Sequence, residues 1–180
     1  EAVRLARKKN ITFLPAGLTK CVSYLNPVEF RSTWVGNKAL YRVRKAMADG
    51  GELVILAPGV KTFGEDPEID RLIRKYGYCG RLNVFEKLKD PANDDLRAMQ
   101  GTAAHLIHGS VDGRFRVVYA VGKDMMADIR SVGFEAMDIE EALRLYDPSV
   151  LTEGWHDGPD GEPFYYIPNP ALGLWISQAL

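Results

Sequence analysis

Residues 37–66 read NKALYRVRKAMADGGELVILAPGVKTFGED, and this stretch decides the predicted fold. Its first part carries Leu40, Val43 and Met47, so apolar residues recur every three to four positions. That spacing is typical of a helix with one face against a core. The sequence therefore predicts a helix over residues 37–49.

A glycine pair and an apolar run follow this helix. Gly50 can adopt the left-handed conformation that ends a helix. Residues 53–57, LVILA, show no polar alternation, which is typical of a strand covered on both faces in a parallel sheet. In open α/β sheets ligands bind beyond the carboxyl ends of the strands, so the loop 58–66 is a candidate site. An ordinary solvated loop is the simpler alternative. The polar residues of this loop include Lys61, Thr62, Glu65 and Asp66.

The composition excludes several classes of function. The chain has 180 residues, enough for one domain with a normal core. It has 23 Lys and Arg against 24 Asp and Glu, so charge does not suggest a nucleic-acid surface. No segment approaches the roughly 18 consecutive apolar residues of a membrane helix, and no signal-peptide pattern is present. We therefore expect a soluble, cytoplasmic protein that binds neither nucleic acid nor membrane. Cys21 and Cys79 lack any metal-ligand spacing and are expected to be reduced thiols.

Strand and helix patterns alternate along the rest of the chain. Asp66 and Pro67 start a helix that Gly77 ends, and a longer helix is predicted from Asn93 to about Gly109. Strands are then predicted over 115–121 and 134–137, with helices after each. This order indicates parallel connections. The predicted fold class is α/β, with three layers and a mostly parallel sheet that has helices on both faces.

The predicted organisation is one α/β domain over residues 1–180. The chain starts with Glu1, and residues 1–9 have the pattern of a helix already under way. We therefore expect a piece of a longer protein. Residues 151–180 are predicted to be an irregular, turn-rich extension, although 164–167 has the pattern of a strand.

Lys38 is the first candidate for ligand binding. It lies in the first turn of the predicted helix, which Ser32 or Thr33 can cap, and a helix amino terminus favours an anion. Lys61, at the end of the strand, and Arg31, in the preceding loop, are expected to support it. The alternative is that all three are solvated surface cations.

The three histidines give weaker signals. His105 and His108 lie three apart on one predicted helix, so they could share a metal, but the spacing identifies no further ligand. A pair that faces solvent or a partner domain is the alternative, and we predict no metal site. His156 lies among turn residues and is interpreted as part of a turn. The nucleotide-binding and common hydrolase motifs are absent from the sequence.

Several runs together resemble the carboxyl-terminal domain of the nickel-dependent lactate racemase family. They cover most of residues 27–145 and read NPVE (26–29), KAL (38–40), DGGELVIL (49–56) with the polar loop through Gly64, AAH (103–105), the strand 117–121 and GFEAMDIEEAL (133–143). The resemblance implies an α-hydroxy-acid racemase or epimerase, acting on lactate or a sugar acid. Such an enzyme uses a nickel-pincer nucleotide, to which hydride is transferred from the substrate carbon before it returns to the opposite face.

In that family the nickel ligand, the cofactor-bearing lysine and the acid/base histidines belong to the amino-terminal domain, which no segment of this chain matches. The carboxyl-terminal domain supplies a lysine and a glutamine to the cleft. Lys38 matches that lysine, whereas Val35 stands where the glutamine would fall. The family's Pro-x-Asp is Pro27-x-Glu29 here, which makes Glu29 a further candidate.

Three hypotheses follow from the sequence. The first is a racemase domain that closes on its own amino-terminal domain, offers Lys38, Arg31 and Lys61 to a small anionic hydroxy acid, and is inactive when isolated. Its nickel cofactor would be held mainly by the other domain. The second is a non-catalytic α/β module that binds a small anion or a partner protein. The third, a stand-alone enzyme, requires a histidine close to Lys38 or Lys61.

Overall fold

The structure is a computed structural model that describes residues 1–179. Its helices are α1 (Ala2–Asn10), α2 (Thr33–Gly36), α3 (Lys38–Val43), α4 (Pro67–Tyr76), α5 (Arg81–Lys89), α6 (Asp94–Ala98), α7 (Gln100–His108), α8 (Lys123–Ser131) and α9 (Ile139–Leu145). Its strands are β1 (Ile11–Leu14), β2 (Leu18–Tyr24), β3 (Met47–Leu56), β4 (Arg116–Val121), β5 (Glu135–Asp138), β6 (Gly154–Asp157), β7 (Pro163–Ile167) and β8 (Leu174–Ser177). Short 3₁₀ helices cover Pro91–Asn93 and Pro170–Leu172. Among these residues, no helix is long and apolar enough to cross a membrane.

A six-stranded sheet forms the centre of the fold, with strand order β5-β4-β3-β2-β7-β6. Its neighbouring strands are parallel except for β6, which runs antiparallel to β7. Alternate residues of β3 belong to two separate apolar clusters, Leu53 and Ile55 in one and Val54 and Leu56 in the other. The first cluster includes side chains of α3 to α8, and the second includes Ala142 of α9. The three-layer α/β fold predicted from the sequence is therefore confirmed.

The helix predicted over 37–49 is wrong in its second half. Helical structure ends at Val43, and β3 already begins at Met47, which is fully buried and pairs with Leu18 of β2. Between the pairs Leu18–Met47 and Lys20–Glu52 the register shifts, so β3 bulges. Apolar spacing suits either structure at these positions, and the pairing with β2 decides between them.

Gly50 has the left-handed φ of 77° that the sequence predicts, but inside the bulge and not at a helix end. Its amide donates to the carbonyl of Arg114 at 2.6 Å. The next residue, Gly51, lies so close to β2 that a Cβ would be 2.9 Å from the carbonyl oxygen of Leu18. The glycine pair therefore allows two strands to approach each other and does not end a helix, so the predicted helix stop is wrong.

Two further boundaries differ from the predictions. The single helix expected from Asn93 to Gly109 is divided into α6 and α7, because Met99 leaves the helical conformation with φ −109° and ψ 64°. The segment 151–180, predicted to be irregular, supplies β6 and β7 to the main sheet and pairs β8 with β1. The strand predicted at 164–167 is confirmed as most of β7. Leu180 lies outside the described residues.

Candidate anion-binding site

The candidate site lies beyond the carboxyl ends of β2 and β3, where two loops run side by side. The amide of Lys61 donates to the carbonyl of Arg31 at 2.9 Å, and the amide of Thr33 donates to Thr62 at 3.1 Å. Ser32 and Thr62 form a parallel β-bridge. The backbone thus brings Arg31 and Lys61 together.

Gly59 makes this approach possible. A Cβ at this position would lie 2.6 Å from the Cα of Pro27, 2.7 Å from its carbonyl oxygen and 2.8 Å from that of Phe30. Real Cβ atoms do not tolerate such distances to backbone, so only glycine allows the loop after β3 to pack on the loop after β2. The segment that carries Lys61 depends on that contact for its place beside Arg31.

Arg31 lines an open cavity of about 540 Å³ between this loop pair and α4. Two other arginines line it, but each is already paired: Arg71 with Glu68 and Asp95, and Arg74 with Asp70 and Asp128. Within the described part of the chain no carboxylate lies within 4 Å of the Arg31 guanidinium. Three acidic residues, Glu65, Asp66 and Asp70, also line the cavity. Arg31 is therefore its one cation without an acidic partner among residues 1–179.

Acidic residues of the cavity fix the loop after β3. Asp66 accepts hydrogen bonds from the amides of Glu68 and Ile69, both at 2.9 Å, and so caps α4 as predicted. Asp70 accepts from the amide of Phe63 at 2.6 Å. Partial burial acts to raise the pKa of Asp70, but bonds from Arg74, Phe63 and Gly64 outweigh it and hold the pKa below its ordinary value. Asp66 and Asp70 are thus committed to structural bonds.

Lys61 and Glu29 are exposed at the same edge of the sheet but do not line this cavity. The ammonium group of Lys61 points across the end of β4 and lies 3.6 Å from the carboxylate of Asp124. Both side chains are more than half exposed, so this ion pair contributes little stability and leaves the lysine available. Glu29 belongs to the turn after β2, where its amide donates to Asn26 at 3.1 Å.

Lys38 has a different setting from the one predicted. It begins a helix of only six residues that follows α2 with Asn37 between them, so the helical region starts at Thr33. Its predicted place in a first helical turn is confirmed, and Ser32 caps the helical region as predicted by accepting from the amide of Val35. Lys38 nevertheless lies five residues beyond the start of that region. Lys38 is partly exposed, one helical turn beyond Trp34.

The two histidines of α7 do not converge. His105 is largely buried, stacked on Trp34 with ring centroids 4.4 Å apart, and bonded to the hydroxyl of Tyr78 at 2.9 Å. His108 is exposed. His156 bonds to the carbonyl of Thr152 and stacks on Phe164. Among residues 1–179, no group of three or more His, Cys, Asp or Glu side chains is placed to hold a metal ion.

No protein-family model matches this chain. A search of curated proteins also finds no match. Solved structures do match. A structural-genomics target from Thermotoga maritima aligns with a TM-score of 0.75 at 22% identity, over 98% of this chain and 41% of that one. The lactate racemase apoprotein of Thermoanaerobacterium thermosaccharolyticum aligns with a TM-score of 0.62 at 12% identity, over 96% of this chain and 38% of that one. The chain has a lactate-racemase-like fold.

This chain spans less than half the length of either of these two solved structures. Within it, the structure brings together Arg31 and Lys61, and it places Lys38 on the helical segment that starts two residues after Arg31. Trp34 and Tyr78 were not among the residues predicted from the sequence. No local signal marks them, because their relation to His105 depends on the packing of α7 against α2 and against the segment between α4 and α5.

Proposed function

We propose that this chain is the carboxyl-terminal domain of an α-hydroxy-acid racemase or epimerase and that it binds the anionic substrate. The observation that carries the proposal is the likeness to the lactate racemase apoprotein, which extends over 96% of this chain. At 12% identity that likeness concerns the fold. The matching lysine in the sequence and the cations at the carboxyl edge of the sheet support the step from fold to function.

In this proposal Lys38 and Arg31 bind the carboxylate of the substrate, with Lys61 in support. Arg31 suits the role because its guanidinium has no acidic partner among the described residues and can bind a carboxylate through two parallel bonds. Lys38 likewise forms no ion pair within residues 1–179. Glu29, exposed two residues before Arg31, would accept a hydrogen bond from a substrate hydroxyl.

The nickel-pincer nucleotide that the resemblance implies would supply hydride removal and return in the complete enzyme. The residues of this chain do not form a centre for it: His105 is engaged with Trp34 and Tyr78, and no trio of metal-binding side chains converges within residues 1–179. The proposal therefore assigns nickel binding to a separate amino-terminal domain. This chain would contribute substrate binding and closure of the cleft.

The test uses the complete protein encoded by the reading frame that contains this chain, loaded with its cofactor. D-lactate, L-lactate and a sugar acid are incubated separately, and interconversion is measured by chiral chromatography. Racemisation or epimerisation of one of these acids is expected. Arg31→Ala and Lys38→Ala should each lower kcat/KM roughly 10- to 100-fold, because each removes a charged hydrogen bond.

Lys45→Ala is the matched control, because Lys45 is an exposed lysine of the same region of the chain. Its kcat/KM should stay unchanged. A loaded protein that binds these acids without interconverting them would contradict the proposal and favour the non-catalytic anion-binding module. Turnover by the isolated chain would also contradict it.

A further inference from the structure

A chain of hydrogen bonds connects α7 to the loop after β3 through the interior of the protein. The Nε2 atom of His105 lies 2.9 Å from the hydroxyl of Tyr78, which lies 2.9 Å from the hydroxyl of Thr33. The Thr33 hydroxyl in turn donates to the carbonyl of Phe63 at 3.2 Å. Thr33 is fully buried and Tyr78 nearly so, so water does not substitute for the two bonds that the Thr33 hydroxyl makes.

The carbonyl of Phe63 ends this series of hydrogen bonds and determines which atom donates and which accepts in each of them. A carbonyl only accepts, so the single hydroxyl hydrogen of Thr33 is used on Phe63, and Tyr78 must donate to Thr33. The hydroxyl hydrogen of Tyr78 is then used, and His105 must donate through Nε2–H. Burial raises the pKa of Tyr78, which keeps its hydroxyl protonated for this role. The neutral His105 ring therefore carries its proton on Nε2.

The same histidine holds α2 from a second side. Its ring stacks on Trp34 with centroids 4.4 Å apart and planes inclined by 30°. Trp34 follows Thr33 directly, and its amide donates to Phe63 at 2.8 Å. His105 thus contacts Trp34 directly and Thr33 through Tyr78. Both Trp34 and Thr33 donate to the carbonyl of Phe63, in the loop that carries Lys61.

We infer that His105 is a positioning residue, which fixes the segment carrying Arg31 and Lys38 against the loop carrying Lys61. It touches none of the three cations; it acts through Trp34, Tyr78 and Thr33. The inference rests on the proposed function only for what the three cations bind. The positioning itself concerns the unliganded protein and can be tested without a ligand.

The first experiment measures tautomer and position by NMR on the unliganded chain. In the wild type, imidazole nitrogen shifts should report a neutral His105 protonated on Nε2. His105→Phe keeps an aromatic ring against Trp34 but removes the donor, and His105→Gln keeps an N–H donor but removes the stack. We expect both variants to shift the backbone amides of residues 31–38 and 61–63.

His108→Gln is the matched control, because His108 lies one turn further along α7 and is exposed. It should leave those amides in place. The inference would be overturned by an Nδ1–H tautomer, or by His105 variants whose amide shifts stay confined to α7. Retention of the overall amide pattern in at least one of the two variants shows that the chain has remained folded.

The second experiment titrates the same variants with L-lactate and follows the amides of Arg31, Lys38 and Lys61. A positioning residue without ligand contact should cost affinity by roughly tenfold on substitution, and His108→Gln should cost none. If the wild type binds no lactate at these residues, the proposed function fails. The first experiment, which needs no ligand, then still tests whether His105 positions the segment that carries Arg31 and Lys38. If Lys38→Ala weakens lactate binding and both His105 variants bind as the wild type does, the positioning inference fails.

Discussion

At the scale of single residues, His105 should make the stability of the fold depend on pH. Burial lowers its pKa from 6.5 to about 4, and the charge of His108 adds to the effect. Between these two values the unfolded chain binds more protons than the folded chain, so the free energy of unfolding rises with pH across that window. The pKa difference corresponds to at most about 3 kcal/mol, and less where water screens the ring.

The measurement is urea unfolding of the wild type and of His105→Gln between pH 4 and 7. The wild type should lose stability relative to the variant as the pH falls through this range, because the variant has no imidazole to protonate. Other groups titrate in both proteins and cancel in the difference. Parallel curves for the two proteins would show that His105 is not buried in the way described here.

At the scale of elements, the packing of the two loops depends on Gly59. Gly59→Ala should lower the free energy of unfolding by about 1–3 kcal/mol, since its Cβ would overlap the backbone of Pro27. Gly101→Ala is the matched control: Gly101 lies in α7, and nothing within 4 Å would meet its Cβ. That substitution should stabilise the protein by roughly 0.5–1 kcal/mol, because alanine favours a helix. Thermal unfolding of the two variants against the wild type measures both effects.

Elements with local signals were predictable from the sequence, and those decided by distant pairing were not. The cap Asp66, the following Pro67 and the closing Gly77 specify α4 within a dozen residues, and the structure places all three as predicted. Met47 has the spacing of a helix, yet its partner is Leu18, almost thirty residues earlier. A pairing of that kind appears in no local pattern, so the apolar spacing predicts a helix that is too long.

The candidate site, too, could be predicted from the sequence only in part. The sequence predicts Lys61 at the end of a strand and Arg31 in the loop before the helix. The parallel pairing of β2 with β3, which brings the backbones of the two residues together, has no local signal. The contact of His105 with Trp34 could not be predicted, since it requires the packing of α7 against α2. The spacing signal instead paired His105 with His108, which the structure leaves exposed.

At the scale of the whole molecule, the two ends of the described chain are joined. β1 and β8 form a parallel pair, in which Thr12 lies opposite Trp175. The amide of Ser177 donates to Lys45 at 3.0 Å, and that of Gln178 to Leu14 at 2.9 Å. The segment that the sequence analysis treated as an extension therefore closes the fold, and Trp175, which is 2% exposed, belongs to its core.

This closure makes Trp175 an informative position for the stability of the fold. Trp175→Ala should cost about 3–5 kcal/mol, because it leaves a large cavity between β8 and the rest of the core. Trp155 is the matched control: it is 52% exposed on the edge strand β6, and its replacement by alanine should cost less than about 1 kcal/mol. Urea unfolding followed by circular dichroism measures both. Equal losses for the two variants would contradict the placement of β8 in the core.

A single cooperative transition in the wild type, lowered as a whole in Trp175→Ala, would show that the last strand, β8, unfolds together with the six-stranded sheet and not before it.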